Sequence, residues 1–178
     1  FPAQPLLVCA MNPCPCGYDG SPQRVCACTE ERKRAYRGRV SGPLLDRLDL
    51  HIALPAVDLA SLRGGPLGES SATIRARVTK ARALQTERRA RGLVETRVNA
   101  HLTGPELDRV AELDPEGEAL LARAVAGLSL SARAYTKVLR VARTIADLAS
   151  APRVHSTHIA EAIAFRLFDR AGITTRAA

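Results

Sequence analysis

Four of the five cysteines fall within "NPCPCGYDGSPQRVCACT", Asn12 to Thr29, as C-x-C-x9-C-x-C at Cys14, Cys16, Cys26 and Cys28. Four thiolates are a ligand set for a tetrahedral Zn2+, with Pro13, Pro15 and Gly17 shaping the turn and nine residues closing the loop. Unligated thiols and an iron-sulfur cluster are the alternatives. Disulfides fit less well, because the chain does not read as secreted and is long enough to fold without staples. The two alpha carbons of a C-x-C pair also sit near the geometric limit for a bridge. With four protein ligands a zinc site has no open position for water, so it would be structural, rigidifying a segment too rich in Gly and Pro to fold unaided. Cys9 lies within an apolar run and reads as a small core residue.

Three further residues could carry chemistry. Asn12 directly follows the run "PLLVCAM"; polar groups at the carboxyl ends of strands line the ligand crevice of parallel α/β sheets, although an asparagine before proline is also a common turn. Arg47 sits in "LLDRLDLH", where pairing with Asp46 or Asp49 is the plain alternative. Arg133 stands two residues after Ser131, a helix cap, where the positive end of the helix dipole disfavours a cation unless something anionic meets it. His51, His101, His155 and His158 show neither metal nor triad spacing with one another. The sequence has no G-x4-G-K-[ST], no G-x-S-x-G and no paired acidic motif after a strand, so it carries no phosphate-binding loop of its own.

These residues need elements to hold them. Pro5 to Met11 and Leu50 to Leu54 read as short strands buried in a parallel sheet, the second stopped by Pro55. Between them Thr29 caps a helix with Glu30 and Glu31 in its first turn, and Pro43 opens a single turn through Arg47. "RGGPLGESS", Arg63 to Ser71, reads as a linker. Beyond it the pattern is helical. Ile74, Val78, Ala81 and Leu84 mark a long amphipathic helix ending near Gly92, and Thr103 with Glu106 has capping-box spacing. Asp114 opens the next helix, Ser131 another with Val138, Val141, Ile145 and Leu148 along one stripe, and Ser156 or Thr157 the last, with Ile159, Ile163 and Leu167. The expected fold is α/β plus all-α: part of a sheet over residues 1–62, then a helical bundle over 63–178.

Composition agrees with a globular protein: 178 residues, 46% apolar, with three Phe, three Tyr and no Trp, so the core must be mostly aliphatic. No apolar run approaches the roughly 20 residues of a membrane span. The opening FPAQPLLVCAM has neither a basic leader nor a small-residue cleavage site, which argues against a secretory signal and for a cytoplasmic piece of a longer protein. The net charge of +8 suits nucleic acid. However, Lys33, Lys80 and Lys137 are the only lysines, an arginine skew that a GC-rich genome also produces.

"LLVCAMNPCPCGYDGSPQRVCACT", "YRGRVSGPLLDRLDLHIALP" and "LSLSARAYTKVLRVARTIADL" together resemble the carboxyl-terminal half of the magnesium-chelatase-like AAA+ ATPases of the ComM/YifB type. The resemblance runs from Phe1 to about Arg170. It implies the end of a P-loop AAA+ core followed by a helical lid, with Walker A and Walker B upstream of these residues. By the resemblance, Asn12 is sensor 1, placing the attacking water at the ATP γ-phosphate; Arg47 is an arginine finger reaching a neighbouring subunit; and Arg133 is sensor 2. The cofactors implied are ATP and Mg2+, the assembly a hexameric ring and the substrate DNA, in branch migration during natural transformation. Without the Walker motifs, these residues alone should be inactive. The competing expectation is a non-enzymatic, zinc-containing DNA-binding or assembly module, with Arg32, Lys33, Arg34, Arg37 and Arg39 facing phosphates.

Overall fold

Every helix start that the sequence marks with a capping residue is built as a helix. The structure is a computed structural model and describes residues 5–55, 57, 63 and 68–166. Helix α1 spans Glu30–Arg37, and the Thr29 hydroxyl accepts the Arg32 amide at 3.3 Å. Helix α2, Gly42–Arg47, is capped by Ser41, which accepts the Leu44 amide. Helix α3, Ser71–Ala90, starts at Ser70 and ends before Gly92, whose φ of 70° gives the left-handed turn that closes it. A 3-10 turn over Asn99–His101 leads to α4, Gly104–Val110, where Thr103 and Glu106 form the expected capping box. Helix α5, Pro115–Leu128, begins on Asp114; α6, Ala132–Leu148, on Ser131; and α7, Ser156–Ala164, on His155.

Helix α6 is the axis of the bundle, packed against α3, α4, α7 and the 3-10 turn. Its buried face runs Ala134, Val138, Ala142, Ala146, with Leu139, Arg143 and Asp147 beside it. The buried stripe is therefore rotated from the one expected: Val138 belongs to it, Val141 and Ile145 are half-buried, and Leu148 is exposed. Alanines at i, i+4 spacing let neighbouring helices approach closely, and the larger branched residues fill the flanks. Leu102, Leu107, Leu121, Val154 and Ile159 complete the aliphatic core.

A charged cluster crosses that core. Asp147, fully buried, accepts from Arg88 Nη1 at 2.7 Å, from Asn99 Nδ2 at 2.8 Å and from Arg143 Nε at 3.1 Å. Arg143 also donates to the carbonyls of Ala151, at 2.7 Å, and Pro152, at 3.0 Å. Two guanidinium groups and an amide thus satisfy one buried carboxylate, which keeps the cost of burying it down.

The sheet expected at Pro5–Met11 and Leu50–Leu54 is not formed. Both runs are irregular, with Leu6 at 92%, Val8 at 81% and Leu54 at 87% exposure. A strand needs a neighbour to satisfy its backbone groups, and among the described residues the β-pairing is an isolated parallel bridge between Leu113 and Val154. The described chain is mostly helical. Helix α3 also departs from expectation: Ala81 is buried and Leu84 half-buried, while Ile74 and Val78 stand exposed in its first half. Of the expected linker, residues 64–67 lie outside the described residues, as does Leu167 of the last helical stripe.

Candidate metal centre and arginine face

The four cysteines meet because two glycine turns fold the loop back on itself. Gly17, at φ 82°, donates its amide to the Cys14 carbonyl at 3.0 Å, and Gly20, at φ 77°, is the third residue of a turn in which Ser21 N donates to Tyr18 O at 3.1 Å. Both conformations are left-handed and cost glycine little. The Arg24 guanidinium stacks on the Tyr18 ring at 4.4 Å and braces the far side of the loop. Cys28 then stands next to Thr29, the cap of α1.

The sulfurs of Cys14 and Cys16 are 3.3 Å apart, those of Cys14 and Cys26 3.6 Å and those of Cys16 and Cys26 3.5 Å; all four lie within 4.8 Å of one another. A disulfide would need about 2.05 Å. A tetrahedron with Zn–S bonds of about 2.3 Å has edges of about 3.8 Å, close to the observed spacing. The four cysteines could therefore hold a metal ion such as zinc. Cys14 is fully buried and the other three half-buried.

The thiols differ in acidity. A hydrogen bond with the Tyr18 backbone brings Cys16 down to about 6. Burial opposes ionisation of Cys14, yet hydrogen bonds from the Asp19 and Cys16 backbone and from Cys26 leave it lowered. Cys26 is helped by the Cys28 amide, but burial and the Cys16 and Cys14 sulfurs push it up to about 12; burial foremost raises Cys28. Four adjacent thiolates repel each other, and a divalent cation is what would allow all four to ionise.

Behind the cluster Asp19 receives two cations from α1, the Lys33 ammonium at 2.7 Å and the Arg37 guanidinium, while Arg37 Nε donates to the Pro13 carbonyl at 3.1 Å. The basic helix is thus divided: Lys33 and Arg37 turn toward the cysteine loop, and Arg32, Arg34 and Arg39 are exposed. Asp19 was not singled out by sequence; its one signal is its place inside the cysteine loop. Asn12 is exposed beside this loop, its Nδ2 4.0 Å from where a Cβ on Gly17 would sit.

Arg47 and Arg133 occupy a second region, where α2 meets the start of α6. Both side chains are exposed. Arg47 Nη1 donates to the Pro43 carbonyl at 2.7 Å, and the expected pairing with Asp46 or Asp49 is not formed. Asp46 instead accepts from the Ser131 hydroxyl at 2.9 Å, and Asp49 from Lys137 Nζ at 2.6 Å. Lys137 also donates to the Arg47 carbonyl at 2.6 Å, and the buried Arg166 to the Leu48 carbonyl. The His51 amide donates to the Phe165 carbonyl at 2.8 Å. Sequence spacing could not reveal these partners, which are 85 to 118 positions apart. His155 contacts Asp114 at 3.1 Å, and His158 Nδ1 accepts the His155 amide at 3.0 Å; both serve the start of α7.

No helix among the described residues is long and apolar enough to cross a membrane. Residues 1–62 match the family model described as magnesium chelatase, subunit ChlI, and residues 68–166 match its C-terminal model. The chain is 40% identical over 172 residues to Competence protein ComM of Haemophilus influenzae and 40% identical over 173 residues to YifB of Escherichia coli. Each match covers 96% of this chain and 32% of the relative, so the chain spans about a third of the length of these curated relatives. The matched portion is the C-terminal part of each relative. With both models matched in order and identity sustained along nearly its whole length, this chain belongs to the magnesium chelatase ChlI family, in the company of ComM and YifB.

Proposed function

We propose that the chain is the end of the core and the helical lid of an AAA+ ATPase that assembles as a hexameric ring and acts on DNA, as a branch-migration motor of the ComM kind. Residues 1–62 are the core part and 63–178 the lid. The observation that carries the reading is the pair of exposed guanidinium groups, Arg47 and Arg133, on helices joined through Asp46 and Ser131. Two cations held on a polar, solvent-facing seam suit an anionic ligand. In this reading Arg47 is the finger offered to a neighbouring subunit, Arg133 is sensor 2 and Asn12 is sensor 1. ATP with Mg2+ supplies the phosphoryl group; this chain's residues position and neutralise. The cysteines hold a structural Zn2+ that fixes the loop after Asn12.

The test is turnover by the full-length protein. Arg47→Ala should lower ATP hydrolysis by about 10³-fold or more, with nucleotide binding retained. Wild-type turnover in that variant would remove the finger assignment. The alternative, a zinc-containing DNA-binding or assembly module without enzymatic activity, is favoured by the exposed Arg32 and Arg34 on α1 and Arg39 just after it. It would be preferred if this chain alone bound DNA with a salt dependence that charge reversal at those three residues flattened.

A further inference from the structure

The segment carrying Arg47 has little packing to hold it. Helix α2 is six residues long with no buried side chain, and a helix so short is not stable on its own. Its position is set by polar contacts from the bundle. Between Leu45 and His51, the carbonyls of Arg47 and Leu48 accept from Lys137 and Arg166, the His51 amide donates to Phe165, and the carboxylates of Asp46 and Asp49 accept from Ser131 and Lys137. The Lys137 side chain is 13% exposed, so its bonds are partly shielded from water.

Lys137 lies four residues after Arg133 on α6, and residues at that spacing share one helix face. The same face therefore carries the sensor 2 candidate on one turn and, on the next, the ammonium that grips the backbone of the finger candidate. Ser131, the cap at the start of the same helix, donates to Asp46. We propose that Lys137, assisted by Ser131, is a positioning residue: it ties Arg47 to the helix bearing Arg133, so that an anion met by Arg133 in one subunit sets the placement of the arginine offered to the next. This rests on the proposed roles of Arg47 and Arg133. A guanidinium displaced by about 1 Å can lose about 100-fold in rate, so a tie at the adjoining carbonyl is enough to control it.

The experiment is a double-variant cycle in the full-length ATPase, reading kcat, KM and nucleotide affinity. Lys137→Met keeps the aliphatic stem and removes the donor; it should lower kcat by about 10-fold to 100-fold with KM and nucleotide affinity unchanged. Lys137→Arg should recover part of the loss. Combined with Arg47→Ala, Lys137→Met should add nothing further, because it acts through Arg47. Independent, multiplying effects would overturn the inference, as would a kcat within about twofold of wild type for Lys137→Met when Arg47→Ala is inactive. Should Arg47→Ala itself turn over normally, the finger assignment falls and this inference with it. If Lys137→Met does not fold, Ser131→Gly decides: it removes the Asp46 contact together with the hydroxyl that caps the Ala134 amide, and glycine is itself a tolerated N-cap. It should lower kcat severalfold, and an unchanged kcat would overturn the inference.

Discussion

Cys14 and Cys26, twelve residues apart, hold their sulfurs 3.6 Å from each other with no disulfide between them. That is a separation imposed by two glycine turns and by the start of α1, and it suits an ion between the sulfurs better than a bridge across them. Purified protein should contain about one zinc per chain by elemental analysis, and a Cys14→Ser, Cys16→Ser variant should contain none. The variant should also be cut faster by protease between Asn12 and Thr29, since the loop then keeps only its turns and the contacts of Asp19, Pro13 and Tyr18 with Lys33, Arg37 and Arg24. A folded, reduced sample free of metal would end the assignment.

Asp147 is a fully buried carboxylate of the bundle, meeting Arg88, Asn99 and Arg143. Asp147→Ala leaves two guanidinium groups facing an apolar core. The expected loss is about 3–5 kcal/mol in urea unfolding. A loss under about 1 kcal/mol would show that water reaches the cluster.

Glu106 gives a prediction in pH. Hydrogen bonds from the Thr103 amide and hydroxyl and from the Glu95 and Thr96 amides hold its carboxyl at about 2, against an ordinary 4.5. Because the folded value is depressed, the stabilisation is fully present above the unfolded value and is lost as pH falls from 4.5 toward 2. Glu106→Gln should be less stable than wild type by about 2 kcal/mol near pH 7, and the gap should close as pH falls through that range. A gap independent of pH would contradict the assignment.

The sequence made the bundle legible and the first part illegible for one physical reason. Caps are local: Thr29, Thr103, Asp114 and Ser131 each bond to an amide within a few residues, so their spacing announces the helix. The apolar runs Pro5–Met11 and Leu50–Leu54 have strand composition, but pairing depends on a neighbour that composition cannot supply. The cysteine cluster was readable because its ligands lie within 15 residues. The partners of Asp46 and Asp49 were not, since acidic residues flanking an arginine look like its ion pairs. Only the folded chain reveals that they belong to Ser131 and Lys137.

The contact from Arg166 to the Leu48 carbonyl, 118 positions away, also makes the arginine-bearing turn dependent on the far end of the described chain. The bundle itself is closed over long separations, as where Arg88 of α3 meets Asp147 of α6, 59 positions away. The Leu45–His51 segment has no seat until α6 and the end of α7 exist. The arginine-bearing turn is therefore held in this place only when α6 and the residues that follow α7 are themselves in place, so its placement depends on the folded bundle beneath it.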